Sequence, residues 1–178
     1  MADAEHSQRT SYAVGKLLTE FFMKDSVDKG EIKGCSIRFA NVYSKNELYP
    51  KHILPHILTS LSKDGSVTLL ENSKKNYRTF LDNEDSWSAV MALMDTESAL
   101  DGTIYNVGTK EEIQIIDLVK LCADELGIGE PVIRFEGFRA SDPERRMLNT
   151  DKITKATGWE PKVTLKDGIR SIIKEMKS

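Results

Sequence analysis

Between residues 10 and 72, helical and strand patterns alternate, and this alternation leaves few possible folds. In "SYAVGKLLTEFF", Val14, Leu17, Leu18, Phe21 and Phe22 recur at helical spacing. They predict a helix over 10–29, capped by Thr10 or Ser11 and followed by Gly30 and Gly34. "CSIRFANVY" (35–43) is short, apolar and β-prone, and reads as a buried strand. A second helical pattern covers 51–63, with Pro55 in its first turn, where proline is tolerated. "SVTLLEN" (66–72) reads as a strand. Helix alternating with buried strand predicts an α/β fold with parallel pairing.

The rest of the chain mixes short elements. "RTFLDN" (78–83) reads as extended, 84–96 as a helix capped by Asn83 or Asp85, and 102–108 as a strand. The spacing at 113–127 predicts an amphipathic helix ended by Gly127. A strand follows at 131–137, then a polar, arginine-rich loop at 138–150. Two helices close the chain, 150–158 with Thr150 as cap and 165–177. In "GWEPKVTLKDGI", Trp159 packs and Pro161 turns the chain.

Composition excludes several classes of function. Net charge is −3 and the chain has no basic block, so nucleic acid is not expected as a partner. No apolar run approaches the roughly 18–20 residues that cross a bilayer, and no membrane partner is expected. Cys35 and Cys122 lie far apart in apolar contexts and fit no metal or redox spacing. Both read as buried thiols of a cytoplasmic protein.

Four stretches carry residues suited to chemistry. Tyr12 and Lys16, at i and i+4, rise from one helix face. A phenol ordinarily titrates at about 10, and a nearby ammonium favours the phenolate, which makes such a pair a usable proton acceptor. Arg38 and Asn41 lie at the end of a predicted strand, where ligands of α/β sheets bind. Arg78 offers a planar fork suited to phosphate. Arg139, Asp142, Arg145 and Arg146 share one loop: the arginines suit a diphosphate and the aspartate a ribose hydroxyl. Each stretch has an ordinary structural reading too, as a helix pair, a turn, a surface arginine or a solvated loop.

Their order is more specific than any one of them. Tyr-x-x-x-Lys is followed by Arg-Phe-x-Asn-Val-Tyr, Arg-x-Phe, Tyr-Asn-Val-Gly, Asp-Pro-x-Arg-Arg and Gly-Trp-x-Pro-Lys-Val-x-Leu-x-x-Gly-Ile. The series resembles the extended short-chain dehydrogenase/reductase family of NAD(P)-dependent nucleotide-sugar epimerases and dehydratases, from about residue 5 to residue 175.

The resemblance implies the following roles. Tyr12 is the acid/base and Lys16 its partner, both also touching the cofactor. Ala40 lies near the nicotinamide. Asn41, Arg78, Arg139 and Asp142 hold a nucleotide-diphosphate sugar. Bound NAD or NADP takes a hydride from the sugar while the tyrosine removes a hydroxyl proton. The family also pairs as a homodimer through its tyrosine helix, here 10–29. The implied fold is the C-terminal part of a Rossmann-like core, 1–45 with parts of 64–110, interleaved with a small mixed α/β substrate lobe, 46–63 and 111–178.

The chain departs from the family pattern in several places. No Gly-x-x-Gly-x-x-Gly turn occurs, and only eleven residues precede Tyr12, whereas the family's catalytic Ser or Thr lies some two dozen residues before the tyrosine. The cofactor is therefore expected not to be retained by this chain alone. His52 stands where dehydratase-like members often carry Lys, and reads as a helix-surface residue. Asn149 replaces a common Asp. Two expectations follow: the C-terminal portion of a nucleotide-sugar epimerase or dehydratase, or a non-catalytic remnant that binds sugar nucleotide weakly or mediates dimerisation.

Overall fold

The computed structural model describes residues 2–46, 49, 51–140 and 142–177. In chain order the elements are α1 (Ala2–Asp28), β1 (Gly34–Phe39), β2 (Asn41–Tyr43), α2 (Ile53–Asp64), β3 (Ser66–Leu69), β4 (Tyr77–Asp82) and α3 (Asn83–Met94). They continue with β5 (Asp101–Val107), β6 (Glu112–Gln114), α4 (Ile115–Leu126), β7 (Val132–Phe135), β8 (Arg145–Arg146), α5 (Asp151–Thr157) and α6 (Leu165–Met176). The chain divides into two units. One comprises Met1–Phe39, Ser88–Val107 and Asn149–Glu160; the other comprises Ala40–Trp87, Gly108–Leu148 and Pro161–Ser178. The α/β expectation holds, with parallel pairing in both units.

In the first unit β1 and β5 form a parallel pair, and α1 packs against both. A bidentate bond joins helix to strand: Arg38 donates through Nε and Nη2 to the two Glu20 oxygens, each at 2.7 Å. Arg38 is thereby a structural residue. The guanidinium beside Glu20 holds that carboxyl below its ordinary value. Tyr105, Val107, Ile153 and Trp159 are buried here, and the Trp159 indole donates to Ser88 Oγ at 2.8 Å. Tyr12, Val14, Leu17, Leu18, Phe21 and Phe22 of α1 are exposed.

The second unit holds a continuous core. Leu54, Ile57, Leu58 and Leu61 of α2 meet Leu118, Val119 and Cys122 of α4 and Ile169, Ile172 and Ile173 of α6, over Val67, Leu69 and Phe80 of the strands. The helical periodicity puts these residues on one face of each helix, and burying that face holds the helices to the sheets. Strand β3 pairs in parallel with β7, and β4 lies between β2, β6 and β8.

Several expectations are corrected. Helix α1 begins well before Thr10 and Ser11, because "ADAEHSQ" is rich in good helix formers. The run 35–43 is two strands, parted at Ala40: β1 pairs with β5, β2 with β4. β1 is half-buried to exposed, and Cys35 on it is only partly buried. At the start of α3 the described contacts differ from the expected cap by Asn83 or Asp85. Asp82 accepts the Glu84 N–H at 2.8 Å, and Asp85 instead accepts the N–H groups of Lys162 and Val163 at 2.9 and 2.8 Å. Thr150 occupies the cap position of α5 without a side-chain cap bond; Asn149 Oδ1 accepts the Asp151 N–H at 2.9 Å. The strand at 66–72 stops at Leu69, and a 3-10 turn follows at Glu71–Lys74. The arginine-rich loop contains β8, which pairs with β4. Helix α4 ends as expected on Gly127, at φ 72°, a left-handed conformation that suits glycine.

Candidate functional site

A cavity of about 710 Å3 opens in the second unit. Asn41, Arg78, Arg139 and Asp142 all line it, joined by Arg146, Lys51, His52 and His56. The four substrate residues expected from sequence thus meet in one place, although they come from β2, β4 and the loop after β7. The cavity has an apolar side as well, with Leu54, Leu69, Leu70 and Ile115.

The centre of the polar side is an ion pair. Arg78 Nη2 lies 2.9 Å from Asp142 Oδ1, and the two side chains are only 9% and 11% exposed. Arg78 Nη1 donates to the carbonyls of Tyr77 at 2.6 Å and Glu144 at 3.1 Å. Burial pushes the Arg78 guanidinium below its ordinary value, and Asp142 opposes that shift. Arg146 Nη2 donates to Asp142 Oδ1 at 2.8 Å, and Asn76 Nδ2 to Asp142 Oδ2 at 2.6 Å.

Backbone geometry places the remaining groups. Asn72 brackets Arg139, its Oδ1 accepting the Arg139 N–H at 2.8 Å and its Nδ2 donating to the Arg139 carbonyl at 3.0 Å. Asn41 Nδ2 donates to the Thr79 carbonyl at 3.1 Å, which holds the amide against β4. His52 stands exposed at the cap position of α2 and lines the cavity. His56 is tied through Nε2 to the Thr68 carbonyl at 2.9 Å.

Arg145 departs from the expected arginine cluster. It pairs with Glu112 on β6 and lies over the Tyr77 ring, 5.5 Å from its centroid, while Arg146 lines the cavity. Successive strand residues point to opposite faces, so one of two adjacent arginines turns away. Asn76 had no signal in the sequence beyond a polar turn; its partner Asp142 becomes visible only in the fold.

Tyr12 and Lys16 belong to the first unit. The Lys16 ammonium lies 5.6 Å from the centroid of the Tyr12 ring, one helical turn away, and Tyr12 is exposed. Ala40 is the link between β1 and β2. Among the described residues no helix is long and apolar enough to cross a membrane.

The sequence model of the GDP-mannose 4,6 dehydratase family matches residues 3–172. Among curated proteins, the chain is 25% identical to dTDP-4-dehydro-6-deoxyglucose reductase of Escherichia coli, over 94% of this chain and 52% of that protein. It is 26% identical to human dTDP-D-glucose 4,6-dehydratase, over 91% of this chain and 47% of that protein. The chain spans about half the length of the curated relatives it matches. Its fold is similar to that of UDP-glucuronic acid 4-epimerase from Bacillus cereus, solved with UDP-glucuronic acid and NAD (TM-score 0.83, 20% identity, 93% of this chain and 52% of that one). RMD from Pseudomonas aeruginosa, solved with NADPH, has a TM-score of 0.80 at 22% identity, over 92% of this chain and 55% of that one.

Proposed function

We propose, for a chain that belongs to the GDP-mannose 4,6 dehydratase family within the extended short-chain dehydrogenases/reductases, that it carries the sugar-nucleotide site and the acid/base pair of an NAD(P)-dependent nucleotide-sugar epimerase or dehydratase. The observation that supports this most is the meeting of Asn41, Arg78, Arg139 and Asp142 on one cavity.

The arginines hold the diphosphate. Guanidinium forks bind phosphate oxygens with paired hydrogen bonds, and they do so more strongly where the wall is dry. Asn41 donates the amide hydrogen that Thr79 does not use. Among the described residues Asp142 Oδ2 accepts from Asn76 alone, which leaves it one acceptor position for a ribose hydroxyl.

Tyr12 takes the hydroxyl proton of the sugar on its phenolate oxygen and later returns it. Lys16 is its partner on the same helix face, one turn away, with its ammonium 5.6 Å from the ring centroid. A bound dinucleotide would supply the hydride transfer. Tyr12 and Lys16 suit its nicotinamide ribose, and the Ala40 backbone suits the ring. The sequence contains no glycine-rich turn of the kind that holds a dinucleotide's diphosphate.

A second reading is binding without turnover. All four substrate residues lie in one unit and need neither Tyr12 nor Lys16. Calorimetric titration with GDP, UDP and dTDP tests both readings. Micromolar binding of at least one, weakened about tenfold or more by Arg78→Ala or Arg139→Ala, supports the site; no binding of any of the three overturns it. Turnover of the matching nucleotide sugar with added NAD, lost in Tyr12→Phe while binding persists, selects the first reading over the second.

A further inference from the structure

We infer that Asn76 is a positioning residue, holding the Asp142 carboxylate so that Arg78 and Arg146 stay open to an anion; this rests on the nucleotide-sugar reading above. Asn76 is 6% exposed and lies in the turn before β4. Its own backbone is fixed at both ends. The Asn76 N–H donates to the Asn72 carbonyl at 3.0 Å, and its carbonyl accepts from Ile115 at 3.0 Å. The amide therefore reaches Asp142 from a rigid base, and the 2.6 Å bond to Oδ2 is short.

Two residues compete for that carboxylate. Arg146 donates to Oδ1 at 2.8 Å, and Arg78 pairs with the same oxygen at 2.9 Å. A carboxylate free to rotate offers both oxygens to one guanidinium, the bidentate geometry that is strongest and that masks the positive charge most fully. With Oδ2 held by Asn76, each arginine touches one oxygen only. Arg78 spends Nη1 on the Tyr77 and Glu144 carbonyls and faces Asp142 with Nη2, and its side chain lines the cavity.

Asn76 and Asp142 line both the main cavity and a neighbouring one of about 350 Å3. Removing the amide opens the Arg78–Asp142 pair to water, which weakens the charge interactions there.

The test is calorimetric titration of the full chain with inorganic pyrophosphate and with the nucleoside diphosphate that the wild type binds, among GDP, UDP and dTDP. Asn76→Ala is expected to weaken both ligands about tenfold or more. Asn76→Asp, of the same shape but unable to donate when ionised, is expected to do the same, and covers the case in which Asn76→Ala does not fold. In an Asp142→Asn background, where no charge is left to position, Asn76→Ala is expected to change affinity less than about twofold. That loss of effect separates positioning from a general structural role, whose cost would be carried into both backgrounds. Wild-type affinity in Asn76→Asp, or equal losses in the two backgrounds, overturns the inference while the nucleotide reading stands. A wild type that binds neither ligand overturns both.

Discussion

Asp142 faces Arg78 across 2.9 Å, but the two partners are not equally dependent on each other. Asp142 retains Arg146 and Asn76 when Arg78 is removed, whereas Arg78 has no other carboxylate against it among the described residues. Removing one member of a buried pair costs on the order of 3–5 kcal/mol when it leaves a charge uncompensated. Asp142→Ala is therefore expected to destabilise the protein more than Arg78→Met, by about 1 kcal/mol or more in urea denaturation. Equal losses would show that Arg146 does not compensate Asp142.

A second pair sets the docking of α6. The Tyr43 hydroxyl is buried against Gly168, and among the described residues it has no hydrogen-bond partner. A Cβ at position 168 would fall within the van der Waals radius of that hydroxyl, and at 2.5 and 2.7 Å from Cζ and Cε2 of the ring. Glycine to alanine inside a helix ordinarily stabilises by about 1 kcal/mol. Here overpacking of about 1–3 kcal/mol or more outweighs it. Gly168→Ala is expected to lower stability. Tyr43→Phe is expected to be neutral or stabilising, since it removes an unsatisfied group. The double variant is expected to recover part of the loss, and a thermodynamic cycle of urea midpoints measures the coupling.

Acid should loosen β4 from its neighbours. Glu112 on β6 and Arg145 on β8 pair across the strand. The hydrogen bond from Arg145 holds the Glu112 carboxyl below its ordinary value of 4.5. A carboxylate lowered in the folded state binds fewer protons there than in the unfolded state. Its contribution is present above 4.5 and is lost as pH falls below that value through the folded pKa. The stability difference between wild type and Glu112→Gln is expected to shrink from pH 6 to pH 3, as read by urea denaturation along that series. A difference that is constant with pH would mean that the pair contributes nothing beyond its packing.

The exposed side chains of α1 predict association. Leu17, Leu18, Phe21 and Phe22 are each half or more exposed, and Phe21 and Phe22 contact one another edge to face at 6.3 Å between ring centroids. A continuous apolar face of this kind drives contacts with other surfaces. Light scattering is expected to show a mass that rises with concentration, and Phe21→Glu with Phe22→Glu is expected to suppress the rise. A monomer at all concentrations would count against self-association through this helix.

Helices α2, α4 and α6, and the alternation that made the fold α/β, were legible because hydrophobic periodicity is a local property of the chain. Core residues such as Leu58, Leu118 and Ile169 follow it directly. Asn41, Arg78, Arg139 and Asp142 could be picked out by residue type and by the order of their motifs. Their meeting on one cavity could not, because it depends on β2, β4 and the loop after β7 being brought together by strand pairing. The same pairing decided which arginine faces the cavity, since on β8 Arg146 lines it and Arg145 turns to Glu112.

The caps followed the same division. The interior of each helix could be placed from its own residues, but not that Asp85 accepts from Lys162 and Val163 or that Asp82 accepts the Glu84 N–H. Local pattern thus specified the main helices and their core faces, while pairing decided where the strands break and end. Long-range hydrogen bonds decided which polar groups spend their donors on the fold, because most buried donors and acceptors find a partner in the packed chain.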